Sequence, residues 1–478
     1  MRLTRHIDSD GRCQLPSSIW QIPASAFNEC DELVSIVIPE GVTGIGDSAF
    51  FGCEYLESVT LPGTLRTVGD QAFEGCSALA SLKIPEGVSE IGDEAFRGCV
   101  SLESLSLPTT LKNIGHEVFD ECESLTRVSL PEGMKTIEES MFRQCESLKS
   151  VVLPDSLEVI GESAFEDCLN LSSINIPDGV TEIGDRAFAS CERLRSVIIP
   201  DSVARIGDEA FSFCDLRTID LPESVTGIGD SAFCSSELRK IRLPSRITGI
   251  ADGLFSDCES LTSVEIPDGV TAIEDGAFSG CSRLSGIRVP EGVTEIGDSA
   301  FAGCAALTSI DIPKSVTAIG DSAFCGCNKL KSVNIPEGVT AIEDNAFDSC
   351  GSLDSIVLPR SVRTVGEGAF SSCGRLKRAI LRDRIEDFGG DVFFRCRSLK
   401  SVILEVSSPD PSDSEELVEM MTDKDSGFDS ALLTLRVPAG SVPAFAKHYP
   451  HFAGKIEESD PGPSPAPSQR FHNPNVIA

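Results

Sequence analysis

Apolar residues return along this chain in one fixed order, and the order repeats every 23 residues. The stretch from Pro290 to Ile312, PEGVTEIGDSAFAGCAALTSIDI, shows it: Val293 and Ile296, then Ala300, Phe301 and Cys304, then Leu307, Ile310 and Ile312. Phe301 has counterparts at Phe27, Phe50, Phe73, Phe96, Phe119, Phe142, Phe165, Phe188, Phe211, Phe233, Phe255, Phe278, Phe324, Phe347, Phe370 and Phe393. That makes seventeen copies, at steps of 23 residues except for two of 22. A short fixed period is the mark of a solenoid, in which each unit covers the open apolar face of its neighbour. No copy can bury its own core, so the copies must stack.

Within one copy the spacing changes from segment to segment. Leu307, Ile310 and Ile312 fit a short strand whose Ile310 and Ile312 face inward while Ser309 and Asp311 face out. Pro313 ends that strand, because it has no N–H for the ladder. Val316 and Ile319 then predict a partly extended crossing with a second short strand. Phe301 and Cys304 stand three apart and both face the core from a short helical turn, for which Asp298 is placed as the cap. At about 4.8 Å per turn, seventeen turns make a curved rod on the order of 80 Å long. The glycine at Gly297 and Gly320 is Glu138, Ala251, Glu274 or Glu343 in other copies, so it sets a spacing and demands no positive φ.

The run P-x-x-V-x-x-I-G-D-x-A-F-x-x-C-x-x-L-x-x-I-x-I resembles the BspA-like class of leucine-rich repeats, over more than three-quarters of the chain. The resemblance implies a leucine-rich repeat horseshoe or rod, with a parallel β-sheet on the concave face and short helical turns and extended segments opposite. It also implies microbial cell-surface proteins that bind host or partner proteins, and large families of microbial eukaryotes. Leu433 to Glu458 looks like the closing piece such proteins carry, with Val437-Pro438-Ala439-Gly440 and an aromatic helix after it.

The expected organisation is a short N-terminal segment over 1–11, the repeat domain over 12–404, a polar insertion over 405–431, a closing segment over 432–458 and a proline-rich disordered tail over 459–478. Met1 to Gly11, a partner, or residues upstream must cover the first turn. Ser407 to Gly427 reads as a mobile loop, since it is polar and lies beyond the pattern. Two copies, after Cys214 and after Phe233, are one residue short and are expected to disturb the curvature. Near the far end Arg382 replaces the strand-ending proline, Ala379 a bulky core residue and Phe388 an isoleucine, as in a terminal copy.

Composition narrows the function. A net charge of −35 opposes non-specific attraction to nucleic acid or anionic membrane. No apolar run is long enough to span a membrane, and the first thirty residues lack the apolar core of a secretory signal. Of nineteen cysteines, sixteen are the F-x-x-C member of a copy and form a column in the core. They read as small buried apolar residues in a reducing compartment. Cys13, Cys234 and Cys325 fall outside the column, and Cys325-x-Cys327 is a weak metal candidate. Both observations point to the cytoplasm, whereas an N-terminus that starts further upstream would open the cell surface or secretion. The acidic column that includes Asp47, Asp70, Asp93, Asp208, Asp275, Asp298, Asp321 and Asp344 reads as turn caps, with a calcium ladder as the alternative. Serine and threonine columns would suit ice only on a flat surface. No nucleophile–base set and no phosphate loop stand out, so the expectation is no enzyme, no cofactor and no metal.

One column varies where the fold would let it repeat. The second outward strand position reads Lys83, Asp220, Arg242, Glu265, Arg288 and Asp311 among others, and alternates in sign from Asp220 to Asp311. Arg217, Arg239, Lys240, Arg242 and Arg246 form a basic island beside the two short copies, and a second basic region runs from Arg360 to Lys400. Two readings stand. Neighbouring turns neutralise each other, or Lys83, Asp220, Arg239, Lys240, Arg242, Glu265, Arg288 and Asp311 form a recognition strip for a protein partner. The expected protein is a monomer unless another chain caps an end turn.

Overall fold

A computed structural model describes residues 3–422 and 429–459; the proline-rich tail, apart from Ser459, and residues 423–428 of the insertion lie outside these. Each turn of the chain runs through three faces, repeated turn after turn. The front face carries strands of mostly three residues, such as Ser309–Asp311, which pairs in parallel register with Ser332–Asn334. The back face carries two-residue strands such as Ala318–Ile319, paired with Ala341–Ile342. The expected second short strand is therefore present, and the solenoid has two parallel sheets.

The third face departs from expectation. The segment Ser299 to Cys304 is a succession of non-helical turns, with Ser299 at φ 55° and Gly303 at φ 70°. Left-handed residues at these two places break any helix and turn alternate N–H groups along the solenoid axis. Ser299, Phe301 and Gly303 donate to the carbonyls of Asp321, Ala323 and Cys325 in the next turn, at 2.7, 2.8 and 2.7 Å. With no helix to cap, Asp298 acts between turns: its Oδ1 accepts from the backbone N–H of Asp321 at 2.7 Å. Asp275 does the same for Asp298 at 2.7 Å. The acidic column is a ladder of backbone acceptors. The glycine column serves it, since a Cβ on Gly297 would stand 2.5 Å from Asp275 Oδ1. Its φ is not positive, as expected, and the same bond forms at 3.1 Å where Glu274 or Glu343 stands in its place, so glycine eases this close approach without being required for it.

The core is a stack. The seventeen phenylalanines stack in sixteen successive face-to-face pairs, for example at 4.9 Å for Phe50–Phe73 and 5.3 Å for Phe301–Phe324. The cysteine column runs beside it, and its thiols have partners: Cys304 Sγ donates to Phe278 O of the preceding turn at 3.2 Å, and Cys327 Sγ to Phe301 O at 3.3 Å. A small apolar residue that also donates explains cysteine better than alanine would. Ser236, which replaces cysteine in the second short copy, is buried as well and lies 3.2 Å from Cys258 Sγ. Burial pushes the Cys53 and Cys99 thiols up to about 12. All nineteen cysteines are free, seventeen of them buried, and only Cys234 and Cys325 are partly exposed. Alkylation of the native protein near pH 8 is therefore expected to label those two alone, and all nineteen after unfolding, by intact-mass measurement. Rapid native labelling of the column would show that the turns part in solution.

The ends are closed differently. At the start Leu3 is buried and Ile7 bridges to Cys13, so residues 3–11 fold back over the first turn. At the far end, where Arg382 stands in place of proline, the strands lengthen to five residues, Arg378–Arg382, Ser401–Glu405 and Leu433–Val437. Loss of the proline restores the ladder N–H, and Arg382 and Arg436 both pair with Glu405. The insertion is not the loose loop its polarity suggests. Residues Glu415–Thr422 form helix α1, which buries Leu417, Val418 and Met421 and packs against the strand Asp387–Phe388. Three apolar side chains on one face suffice to dock it, each worth about 1.5–3 kcal/mol. The closing segment adds helix α2, Val442–His448, and the edge strand Ile456–Glu458, with Phe445, Tyr449 and Phe452 buried.

Candidate binding surface on the front sheet

Strand alternation puts Ile310 and its equivalents inside and leaves every second side chain of the front sheet in solvent. Lys83, Asp220, Arg239, Lys240, Arg242, Glu265, Arg288 and Asp311 are all exposed. The structure brings seven of them together over five consecutive turns, and Lys83 lies six turns before Asp220. Arg242 is the ladder partner of Glu265, and Arg288 that of Asp311.

Their ion pairs do not follow the ladder. Arg242 Nη2 meets Glu223 Oε1 at 2.6 Å, and Arg288 Nη1 meets Asp268 Oδ1 at 2.8 Å. Both acids follow the strand-ending proline of the preceding turn, where the chain leaves the sheet. An arginine reaches there because its fork is long, whereas strand neighbours present short acids pointing straight out. The Ser245 backbone N–H and hydroxyl, with Arg242, hold the Glu223 carboxyl below its usual range. Asp220, Glu265, Asp311, Arg239, Lys240 and Lys83 enter no ion pair among the described residues. Neighbouring turns thus neutralise Arg242 and Arg288 through acids that lie outside the strip, while Asp220, Glu265 and Asp311 stay open to solvent. Apolar residues extend the same column: Val37, Val152, Ile198 and Val357 are exposed, Ile198 at 80%. In the second basic region Arg363 pairs with Glu386 at 3.3 Å and Arg382 with Glu405, so part of its charge is internally balanced.

A charged group on the third face escaped the reading of the sequence. The residues that follow the core phenylalanines run Glu74, Arg97, Asp120, Arg143, Glu166 over five turns. Asp120 is fully buried and accepts from Arg143 Nε at 3.1 Å and Nη2 at 2.7 Å, with Arg97 Nε at 3.4 Å. Burial pushes its carboxyl up, and the hydrogen bonds from Arg143 pull against that. Lining up the position after each phenylalanine would have revealed the alternation.

Cys325 and Cys327 do not converge on a site: Cys327 points into the core, and Cys325 lies near the surface, 3.8 Å from Asp348 Oδ2. Among the described residues no group of three or more His, Cys, Asp or Glu side chains is placed to hold a metal ion. No described helix is long and apolar enough to cross a membrane.

The repeat seen in space is also seen in the family comparison. The pattern described as "BspA type Leucine rich repeat region (6 copies)" matches residues 11–126, 66–195, 181–308 and 294–409. The chain belongs to the BspA-type leucine-rich repeat family. A leucine-rich repeat protein from Bacteroides ovatus ATCC 8483 is 34% identical to this BspA-type chain, covering 74% of it and 88% of the other, with a TM-score of 0.63. A leucine rich cell surface protein from Faecalibacterium prausnitzii A2-165 is 26% identical over 85% of this chain and 90% of its own, with a TM-score of 0.33. A comparison with curated proteins gives no match.

Proposed function

We propose that this BspA-type repeat protein is a non-catalytic scaffold that docks a protein partner on its front sheet. The observation that carries the reading is the open strip from Asp220 to Asp311, whose charges change from turn to turn and whose acids enter no ion pair among the described residues. Parallel pairing from turn to turn, as between Arg242 and Glu265 and between Arg288 and Asp311, holds much of that strip in order, so little conformational entropy is lost on binding. Charge complementarity would then select the partner.

Nineteen free thiols suit a reducing compartment and favour an interaction scaffold inside the cell. Family membership favours the second reading, an adhesin at the cell surface. Protease shaving of intact source cells, followed by immunodetection, separates the two, because only a surface protein is degraded.

Affinity capture with the wild type and with Arg242→Glu/Arg288→Glu, read by mass spectrometry, tests the strip. Capture of a partner selected by charge is expected to change at least about tenfold, falling for an acidic partner and rising for a basic one, because the two substitutions add four negative charges to the strip relative to the wild type. Equal capture by both proteins would sink the strip as the docking surface.

A further inference from the structure

The two short copies lose their residue at the same place. Other turns leave the cysteine through a corner of two residues, as in Cys191-Glu192-Arg193-Leu194. Here the corners are Cys214-Asp215-Leu216 and Ser236-Glu237-Leu238, and the tight turn that marks this corner elsewhere is missing from both. The leading edge of the front sheet is therefore shortened over two consecutive turns, and this shortened corner is called the notch below. Both sheets are interrupted there: Thr218–Asp220 does not pair with Lys240–Arg242, nor Gly227–Ile228 with Gly249–Ile250. The phenylalanine stack widens to 5.9 Å on either side of Phe233.

Three arginines on consecutive turns line the notch, Arg195, Arg217 and Arg239, each the first residue after the buried leucine. All three are exposed in a chain of net charge −35. Among the described residues a carboxylate relieves their repulsion in one of the two gaps. Asp215 Oδ2 lies 3.1 Å from Arg195 Nε and 3.7 Å from Arg217 Nη2, so a carboxylate fits between the first two. The equivalent acid of the next turn, Glu237, accepts instead from Ser260 Oγ at 2.6 Å. Arg239 and its neighbour Lys240 enter no ion pair among the described residues. The backbone bond that joins Arg217 to Arg195 at 3.1 Å has no counterpart between Arg239 and Arg217.

An exposed aromatic residue, Phe213, immediately precedes the first shortened corner in the chain. Phe213 stands where Gly280, Gly303 and Gly326 stand in other turns, at φ 56°, and is 57% exposed. A bulky residue rarely adopts the left-handed region, and here that conformation goes with a ring held in solvent.

We propose that this notch binds an extended acidic peptide segment, laid along the solenoid axis, with carboxylates between Arg217 and Arg239 and against Lys240, and an apolar side chain on Phe213. The inference rests on the reading of the front sheet as a docking surface and names the chemistry of its partner. Asp215 is the internal template for the ligand group: a planar carboxylate shared by two guanidinium forks. Turns about 4.8 Å apart place Arg195 and Arg239 roughly 10 Å from each other, which an extended peptide spans in three to four residues.

The test is fluorescence anisotropy with a labelled peptide of several glutamates around one leucine, against the full chain at low and at physiological ionic strength. Arg217→Glu/Arg239→Glu is expected to weaken binding by at least about tenfold, and Arg242→Glu/Arg288→Glu by less than about threefold. Phe213→Ala should lower affinity for this peptide and leave that of its leucine-to-alanine analogue unchanged. Unaltered circular dichroism and melting of each variant, with Arg217→Gln/Arg239→Gln as the milder pair, separate lost binding from lost fold. Equal weakening by both charge reversals would overturn the notch and leave only a diffuse field. No binding by the wild type even at low ionic strength would overturn it too, while the strip stands or falls on its own capture experiment. Tighter binding of a heparin fragment than of the peptide, lost in the same variant, would overturn it in favour of a sulfated polysaccharide.

Discussion

Phe301→Ala is expected to destabilise the protein by about 3–5 kcal/mol and to split its thermal unfolding into two transitions. Phe301 has no exposed surface and stacks at 5.3 Å on Phe278 and on Phe324. The rings on either side cannot close the gap, because hydrogen bonds on three faces fix the spacing of the turns: Phe301 N–H to Ala323 O at 2.8 Å, Thr317 N–H to Thr294 O at 3.0 Å and the front ladder of Ile310 with Val333. A cavity therefore remains. In a solenoid each turn touches only its neighbours, so weakening one interface uncouples the turns before it from those after it. Scanning calorimetry of the wild type and of Phe301→Ala reads both effects, and Phe301→Leu should fall between them. A single transition with an unchanged midpoint would mean that the stack is not what joins the turns.

Asp120→Ala comes second, with an expected loss of about 3–5 kcal/mol. The carboxylate is fully buried and takes both oxygens' worth of bonds from Arg143 while Arg97 approaches from the other side. Removing it leaves two partly buried guanidiniums facing each other. Arg97 keeps Glu94 and Glu117 at 3.2 Å, but Arg143 loses the only acid it meets among the described residues. The double variant Asp120→Ala/Arg143→Ala should recover part of the loss, because it removes the stranded charge together with its partner. Urea titration of the three proteins gives the coupling. An Asp120→Ala loss below about 1 kcal/mol would place this group with ordinary surface pairs.

Much of the architecture was legible because a 23-residue period announces which residues are stacked. Phe301, Cys304, Leu307, Ile310 and Ile312 could be assigned to the core from spacing alone, and all are buried. The two corner deletions were legible as a disturbance. That both fall at one corner, beside three stacked arginines, needed the turns to be superposed. Polarity misled at Glu415–Thr422, where Leu417, Val418 and Met421 lie among acids but share one face of α1. It misled at Asp298 for a different reason. An aspartate before a short turn has the look of a helix cap, yet Ser299 takes a left-handed conformation and leaves no helix to cap.

The sequence by itself determined the seventeen repeat copies, their inward residues, the proline-bounded strands and the columns that run along the rod, whereas the closing strands that extend the stack beyond those copies were seen only in the structure. Each of the former follows from period and burial, which are properties of the chain read in order. Only the tertiary structure decided where the polar groups point. Whether Arg242 meets Glu265 or Glu223, whether Asp298 serves its own turn or the next, and whether Arg239 finds a carboxylate depend on directions across a gap of a few ångströms. Those directions are set by the pitch of the stack and by left-handed residues such as Ser299 and Phe213, and a hydrogen bond or ion pair is decided by direction as much as by proximity.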